Sequence, residues 1–154
     1  MKYVIDSSVG VKWVIPEVDS AKALRLGADY RIGVIELLAP DFYPVEVANS
    51  ITRAERQARI TQLEGAVALR DTLAHLPQLE NVLPLLPRAY AISSQTKSAD
   101  FDSLYVALAE RESCKLVTAD HRPTVARVYK TALRSGETSS HIFSTFSFAC
   151  VCTK

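Results

Sequence analysis

The chain has 154 residues, of which 48% are hydrophobic, and its formal net charge is +1. This length and apolar content suit one domain with a sizeable core and exclude a disordered chain, while the balanced charge excludes a chain-wide attraction for nucleic acid. No apolar run reaches the roughly 18 residues of a membrane-spanning helix, and an acid at position 6 interrupts the first run too early for a signal peptide, so we expect a cytoplasmic protein.

Short apolar runs and segments with helical spacing alternate along the chain. Apolar runs that end at acids or prolines predict strands at 2–5, 35–38, 82–83 and 115–118. Between them, capping residues and prolines delimit predicted helices. The first is capped by Ser7 or Ser8 and ends at Pro16, and the others span about 20–31, 41–59, 61–76, 87–95, 98–112 and 121–133. This alternation predicts an α/β fold with a mainly parallel sheet. We expect one domain over residues 1–148 and a C-terminal tail over 149–154.

Four acidic residues stand where this fold would bring them to one edge of the sheet. Asp6 follows the first predicted strand and Asp120 the last, while Glu46 and Asp102 lie near the starts of predicted helices. Because a parallel sheet gathers functional groups at the carboxyl ends of its strands, we expect these side chains to meet. Four carboxylates would repel one another without cations, so the pattern predicts one or two Mg²⁺ ions and phosphoryl-ester chemistry.

Each acid also has a purely structural interpretation. An aspartate after a strand is often a helix cap, and Asp102 would be favoured in a first helical turn by the helix dipole alone. Glu46 is harder to explain in this way, because it stands between Val45 and Val47. An aspartyl-phosphate protein is a further alternative. The segment that starts at Asp6 has neither the early acidic pair of receivers nor the Asp-x-Asp of the phosphatases.

The segments around the four acids resemble, in order, the four motifs of PIN-domain proteins. They read Val4-Ile5-Asp6-Ser7-Ser8-Val9, Pro44-Val45-Glu46-Val47-Ala48-Asn49-Ser50-Ile51, Asp102-Ser103-Leu104-Tyr105-Val106-Ala107-Leu108-Ala109-Glu110 and Leu116-Val117-Thr118-Ala119-Asp120. The resemblance covers about residues 2–130. It is closest to the VapC branch, the toxin half of bacterial and archaeal toxin–antitoxin pairs.

The resemblance implies a three-layer α/β/α sandwich and a metal-dependent endoribonuclease that uses Mg²⁺, or Mn²⁺ as a substitute. It also implies an RNA substrate, a small antitoxin that covers the acidic pocket, and a homodimer. The residues that match the family's metal-binding and catalytic acids are Asp6, Glu46, Asp102 and Asp120, with Ser8, Asn49 and Thr118 at supporting positions. Asp100 is additional, as a helix cap or a replacement for Asp102. The alternative is a catalytically weak PIN-fold module that acts by binding protein or RNA.

Three arginines follow Glu46 at three-residue spacing on its predicted helix: Arg53, Arg56 and Arg59. They could neutralise RNA phosphates or contact an antitoxin. They could equally form a solvated charged face.

The remaining reactive and aromatic side chains allow narrower predictions. Tyr43, Trp13 and Phe101 are candidates for stacking on RNA bases, although we expect Trp13 and Phe101 to be core residues. His121, which follows Asp120, could transfer a proton or be an ordinary surface histidine. The odd number of cysteines, at 114, 150 and 152, does not suggest a disulfide framework.

Overall fold

A four-stranded sheet lies at the centre of the protein. The computed structural model describes residues 1–96 and 100–119, without the side chain of Asp100. The strands are β1 (Lys2–Ile5), β2 (Glu36–Pro40), β3 (Gln78–Glu80) and β4 (Lys115–Val117), in the order β3-β2-β1-β4. All three pairings are parallel. The prediction of an α/β fold with a parallel sheet is confirmed.

Helices cover both faces of this sheet. Successive residues of a strand point to opposite faces, and Val4, Ile5, Leu37 and Leu38 are all at most 1% exposed. The described helices are α1 (Ser7–Val14), α2 (Ser20–Arg31), α3 (Tyr43–Arg56), α4 (Gln62–Ala74), α5 (Leu86–Thr96) and α6 (Asp100–Arg111). Helix α6 packs on β1, β2, β4 and α5, whereas α1 to α4 pack on one another. Among the described residues, no helix combines the length and apolar character needed to cross a membrane.

Local signals set several of the helix ends. Thr61 accepts a hydrogen bond from the backbone of Glu64, whose carboxylate accepts one from the Thr61 backbone, and this completes the capping box at the start of α4. Helix α1 ends two residues before Pro16, as expected of a residue that cannot continue a helix. Its cap is Asp6 rather than the predicted Ser7 or Ser8.

Two predicted elements are wrong in position. Residues 82–83 do not form a strand. The strand is β3, and a 3₁₀ helix at Leu83–Leu85 follows it. Pro84 explains the error, since it donates no ladder hydrogen bond and its fixed φ suits a helix start. Helix α3 ends at Arg56, because the chain turns at Ala58 with φ 53°. Arg59 therefore lies beyond the helix that was predicted to carry it.

Some predictions fall outside the described residues. These are the helix at 121–133, the domain boundary at 148, the tail at 149–154, and the residues Asp120, His121, Cys150 and Cys152. Cys114 is described and buried, and burial raises the pKa of its thiol to about 11. At neutral pH this thiol is protonated, so it behaves as a core residue rather than as a nucleophile.

Candidate active site

Asp6 lies at the carboxyl ends of two neighbouring strands. It directly follows β1, and its backbone N–H donates to the carbonyl of Val117, the last residue of β4, at 3.2 Å. Its carboxylate caps α1 by accepting from the backbone N–H of Ser8 at 2.8 Å and also accepts from the Ser8 hydroxyl. The end of the strand and the start of the helix therefore fix this carboxylate in one orientation.

Ser8 connects Asp6 to the segment that follows β4. While its hydroxyl donates to Asp6, its oxygen accepts the backbone N–H of Ala119 at 2.9 Å. Thr118 is half-buried just before Ala119, and Asp120 is the next residue in the sequence but lies outside the described residues. The first and fourth acidic motifs thus meet through one serine hydroxyl, although 111 positions separate the bonded residues.

Glu46 comes from the other side of this edge, in the first turn of α3. Its Oε2 accepts a hydrogen bond of 2.5 Å from the hydroxyl of Tyr105 in α6. Asp102 lies three residues before Tyr105, on the same side of α6. The structure therefore links the second and third acidic motifs through a tyrosine side chain.

A second tyrosine lies beside these carboxylates. Tyr43 is 1% exposed, and its hydroxyl has no hydrogen-bond partner among the described residues. Burial raises the pKa of Tyr43, and the negative charges of Asp6 and Glu46 raise it further. Burial likewise raises the pKa of Tyr105, with Glu46 and then Asp6 adding to the shift. Each tyrosine thus lies within electrostatic range of both acids, and both hydroxyls stay protonated at neutral pH.

The ligand chemistry of this region suits a hard divalent cation. Among residues 1–96 and 100–119, no three His, Cys, Asp or Glu side chains come close enough together to hold a metal ion. Mg²⁺, however, is commonly held by only one or two carboxylates and keeps several waters. The donors gathered here are all oxygens, from Asp6, Glu46, Ser8 and the unpartnered hydroxyl of Tyr43. This donor set fits Mg²⁺ or Mn²⁺ better than metals that prefer nitrogen or sulfur.

A groove of about 580 Å³ extends from Ser8 and Ala119 and contains two of the three predicted arginines, Arg53 and Arg59. Arg53 is exposed, and its guanidinium pairs with no carboxylate among the described residues. Arg59 instead forms an ion pair of 2.8 Å with Glu17. Arg56 lines a separate groove of about 640 Å³, away from Ser8. The three arginines therefore have different surroundings, and Arg53 is the one with a free guanidinium beside the acidic region.

Glu17, which also lines this groove, forms ion pairs with two basic side chains. Its carboxylate binds Arg59 and also Lys12, whose ammonium lies 3.0 Å from Oε2. Burial by itself would raise the pKa of Glu17, but the hydrogen bonds from Arg59 and Lys12 outweigh burial and lower that pKa below 4.5. Glu17 therefore stays ionised and neutralises part of the positive charge of the groove.

Several predicted roles change in the structure. Tyr43 is too buried to stack on a base, whereas Phe101, predicted to be core, is 57% exposed and packs edge-on against Phe42 at 5.0 Å. Trp13 is partly buried and donates to the carbonyl of Ala23. Asn49 is exposed and forms no side-chain hydrogen bond within the described part of the chain.

Tyr105 and the hydroxyl of Tyr43 are parts of this region that the sequence analysis missed. A weak signal existed, because Tyr105 lies three residues after Asp102 and Tyr43 three before Glu46, which is the spacing of neighbours on one helix face. Tyrosine at such positions is also common in ordinary cores. Only the tertiary structure distinguishes the two cases.

Comparison with known protein families gives a match over most of the chain. The model of the PIN domain matches residues 3–130. The chain belongs to the PIN domain family. The match includes the segments of all four acids, so the resemblance seen in the sequence is confirmed at the level of the family.

Proteins with a similar sequence or structure include two VapC proteins and a protein of Pyrobaculum aerophilum. Ribonuclease VapC3 of Pyrobaculum aerophilum is 28% identical over 124 residues, which cover 79% of this chain and 92% of the relative. VapC20 of Mycobacterium tuberculosis, a sarcin–ricin loop cleaving toxin, superposes with a TM-score of 0.59 at 15% identity over 80% of this chain and 93% of that one. PAE2754 of P. aerophilum superposes with a TM-score of 0.56 at 20% identity, over 88% of this chain and 98% of that one. These structural similarities concern the fold, and they agree with the predicted PIN-like sandwich.

Proposed function

We propose that this protein is a metal-dependent endoribonuclease and the toxin of a toxin–antitoxin pair. The observation that carries the proposal is the position of Asp6 and Ser8 at the carboxyl ends of β1 and β4, with Glu46 in the first turn of α3, the helix that follows β2. Membership of the PIN domain family and the similarity to a relative named Ribonuclease VapC3 support it. Carboxylates at a strand edge are suited to binding cations that act on phosphodiesters.

The predicted acids would hold the cation: Asp6, Glu46, Asp102 and Asp120. When bound, Mg²⁺ or Mn²⁺ would stabilise charge on the scissile phosphate and acidify a bound water. Ser8 orients Asp6 through two hydrogen bonds and keeps the segment before Asp120 beside it. The N-terminus of α1 adds a favourable dipole for the Asp6 carboxylate. These contacts organise the acids before substrate arrives.

We infer that RNA approaches along the groove that begins at Ser8 and contains Arg53. A guanidinium without a carboxylate partner is available to bind a phosphate, and Arg53 has this property in the described structure. Arg59 is already occupied by Glu17, and Arg56 lines another groove. Arg53 is therefore our candidate among the three for RNA contact.

Protein partners are a further part of the proposal, namely a small antitoxin and a second copy of the chain. Helix α4 supports it, because Leu63, Val67, Leu69 and Leu73 are all exposed by 36% or more. Apolar side chains grouped on one helix commonly mark an interaction surface. Light scattering of the purified chain tests for a dimer. Isolation of the chain from its native cells, with identification of any small protein that co-purifies in defined stoichiometry, tests for the antitoxin.

The nuclease is tested by incubating purified, antitoxin-free protein with total cellular RNA in Mg²⁺ or Mn²⁺. We expect discrete products from the wild type, and none from Asp6→Asn or in excess EDTA. Asparagine caps helices about as well as aspartate, so Asp6→Asn should keep the wild-type circular dichroism spectrum and melting temperature. Asp71→Asn, which removes a charge from the outer helix α4, is the matched control and should cleave like the wild type.

Two results would refute the proposed function. Cleavage that survives excess EDTA would exclude the metal mechanism. A wild-type protein that binds neither Mg²⁺ nor Mn²⁺ and cuts no RNA would leave the alternative of a PIN-fold binding module.

A further inference from the structure

Tyr105 makes a buried hydrogen bond to one of the proposed metal ligands. Its hydroxyl donates to Glu46 Oε2 at 2.5 Å, and the tyrosine is only 3% exposed. A bond between a neutral donor and a carboxylate is stronger than one between two neutral groups, and more so away from water. A carboxylate has two oxygens and about four acceptor positions, and the bond from Tyr105 uses one of them. Glu46 is therefore oriented by a partner that does not compete with metal.

A second aromatic ring supports the ring of Tyr105. Tyr105 packs edge-on against Phe42, with 5.6 Å between the ring centroids. Phe42 is the N-cap residue of α3, the helix whose first turn contains Glu46. Phe42, which supports Tyr105, thus lies in the same segment as Glu46. One segment therefore positions both the hydrogen-bond donor and its acceptor.

Tyr105 also shares one side of α6 with Asp102, the acid one turn earlier. Its bond to Glu46 consequently sets the separation between the acid on α6 and the acid on α3. We propose that Tyr105 is a positioning residue, which holds Glu46 at the distance from Asp102 that a divalent cation requires. This inference rests on the proposed function and assigns a role that the acids alone do not reveal. Partners that orient metal ligands typically affect metal affinity about 10–100-fold.

The test compares Mn²⁺ binding by the wild type, Tyr105→Phe and Tyr30→Phe, measured by electron paramagnetic resonance of free Mn²⁺. Tyr30→Phe is the matched control, because it also deletes a hydroxyl bond, to the Leu76 carbonyl at 2.9 Å. We expect Tyr105→Phe to weaken Mn²⁺ binding by about 10–100-fold, whereas Tyr30→Phe leaves the affinity unchanged. At saturating Mn²⁺, Tyr105→Phe should recover cleavage with an unchanged KM for RNA. A merely structural residue would not show rescue by metal.

Each outcome separates this inference from the proposed function. If Tyr105→Phe binds Mn²⁺ like the wild type while Glu46→Gln binds it weakly, the metal site stands and the role of Tyr105 is refuted. If the wild type binds no Mn²⁺, both proposals fail. Should Tyr105→Phe be too unstable to purify, Phe42→Leu keeps the hydroxyl but removes the supporting ring. It should then weaken Mn²⁺ binding in the same direction, and wild-type affinity in that variant would refute the inference.

Discussion

Replacing Gly10 with alanine should destabilise the protein, although a helix normally gains from this change. Gly10 is a buried residue of α1, where alanine is favoured by about 1 kcal/mol. A Cβ at this position, however, would lie 1.9 Å from the hydroxyl oxygen of Tyr43 and 2.8 Å from Cζ of its ring. Tyr43 is 1% exposed and cannot swing into solvent. The clash must therefore be relieved by moving packed helices.

The expected magnitude follows from these two opposing terms. Overpacking a core costs about 1–3 kcal/mol, and a contact this short justifies the upper end. Subtracting the helix preference leaves a loss of about 2 kcal/mol in the free energy of unfolding. For a chain of this size that corresponds to a melting temperature lower by about 4–8 °C. Urea unfolding followed by circular dichroism, together with calorimetry, would measure both quantities.

Gly27→Ala and Tyr43→Phe are the matched controls. At Gly27 an added Cβ would lie 3.1 Å from the Trp13 indole and 3.5 Å from the flexible guanidinium of Arg31, so the loss should stay below about 1 kcal/mol. In the Tyr43→Phe background, Gly10→Ala should cost at least about 1 kcal/mol less, because the nearest atom is gone. If Gly10→Ala were as stable as the wild type, or its cost were the same in both backgrounds, the position of the Tyr43 hydroxyl over α1 would be refuted.

Two further predictions concern charge. Arg53→Gln should weaken RNA binding and reduce the slope of log K against log salt concentration by about 0.7, the value expected when one phosphate contact on a single strand is lost. Arg56→Gln should leave that slope unchanged, and equal slopes for the two variants would contradict the proposed RNA path. Because the folded pKa of Glu17 lies below 4.5, its stabilisation is present above about pH 4.5 and lost as the pH falls through the folded value. Unfolding measured below pH 4.5 should therefore show a steeper loss of stability for the wild type than for Glu17→Gln, and parallel curves would contradict the pairing of Glu17 with Arg59.

Local signals predicted most of the secondary structure correctly. The capping box at Thr61, the stop at Pro16 and the span of α2 all depend on residues a few positions apart. The errors arose where a local signal was ambiguous. Pro84 is compatible with either a strand end or a helix start, and the turn at Ala58 ended α3 before Arg59 without a glycine or proline to mark it.

Exposure of aromatic side chains was predicted less well. Tyr43 and Phe101 both lie at helix starts, where Tyr43 was predicted to be available for stacking and Phe101 to be in the core. The structure reverses this assignment, because Gly10 of α1 leaves room for the ring of Tyr43. Phe101 instead lies on the outer side of the start of α6 and contacts only the edge of Phe42 among described aromatic rings.

The sequence by itself determined the alternation of strands and helices and the order of the four acidic motifs, because both are properties of neighbouring residues. The tertiary structure decided which side chains meet. Tyr105 reaches Glu46 across 59 positions, and Arg59 reaches Glu17 across 42. The way the helices pack on the parallel sheet determines which distant side chains meet. This packing depends on the whole core rather than on any local pattern. The acids were therefore visible in the sequence, whereas the tyrosine that we propose positions one of them became visible only in the fold.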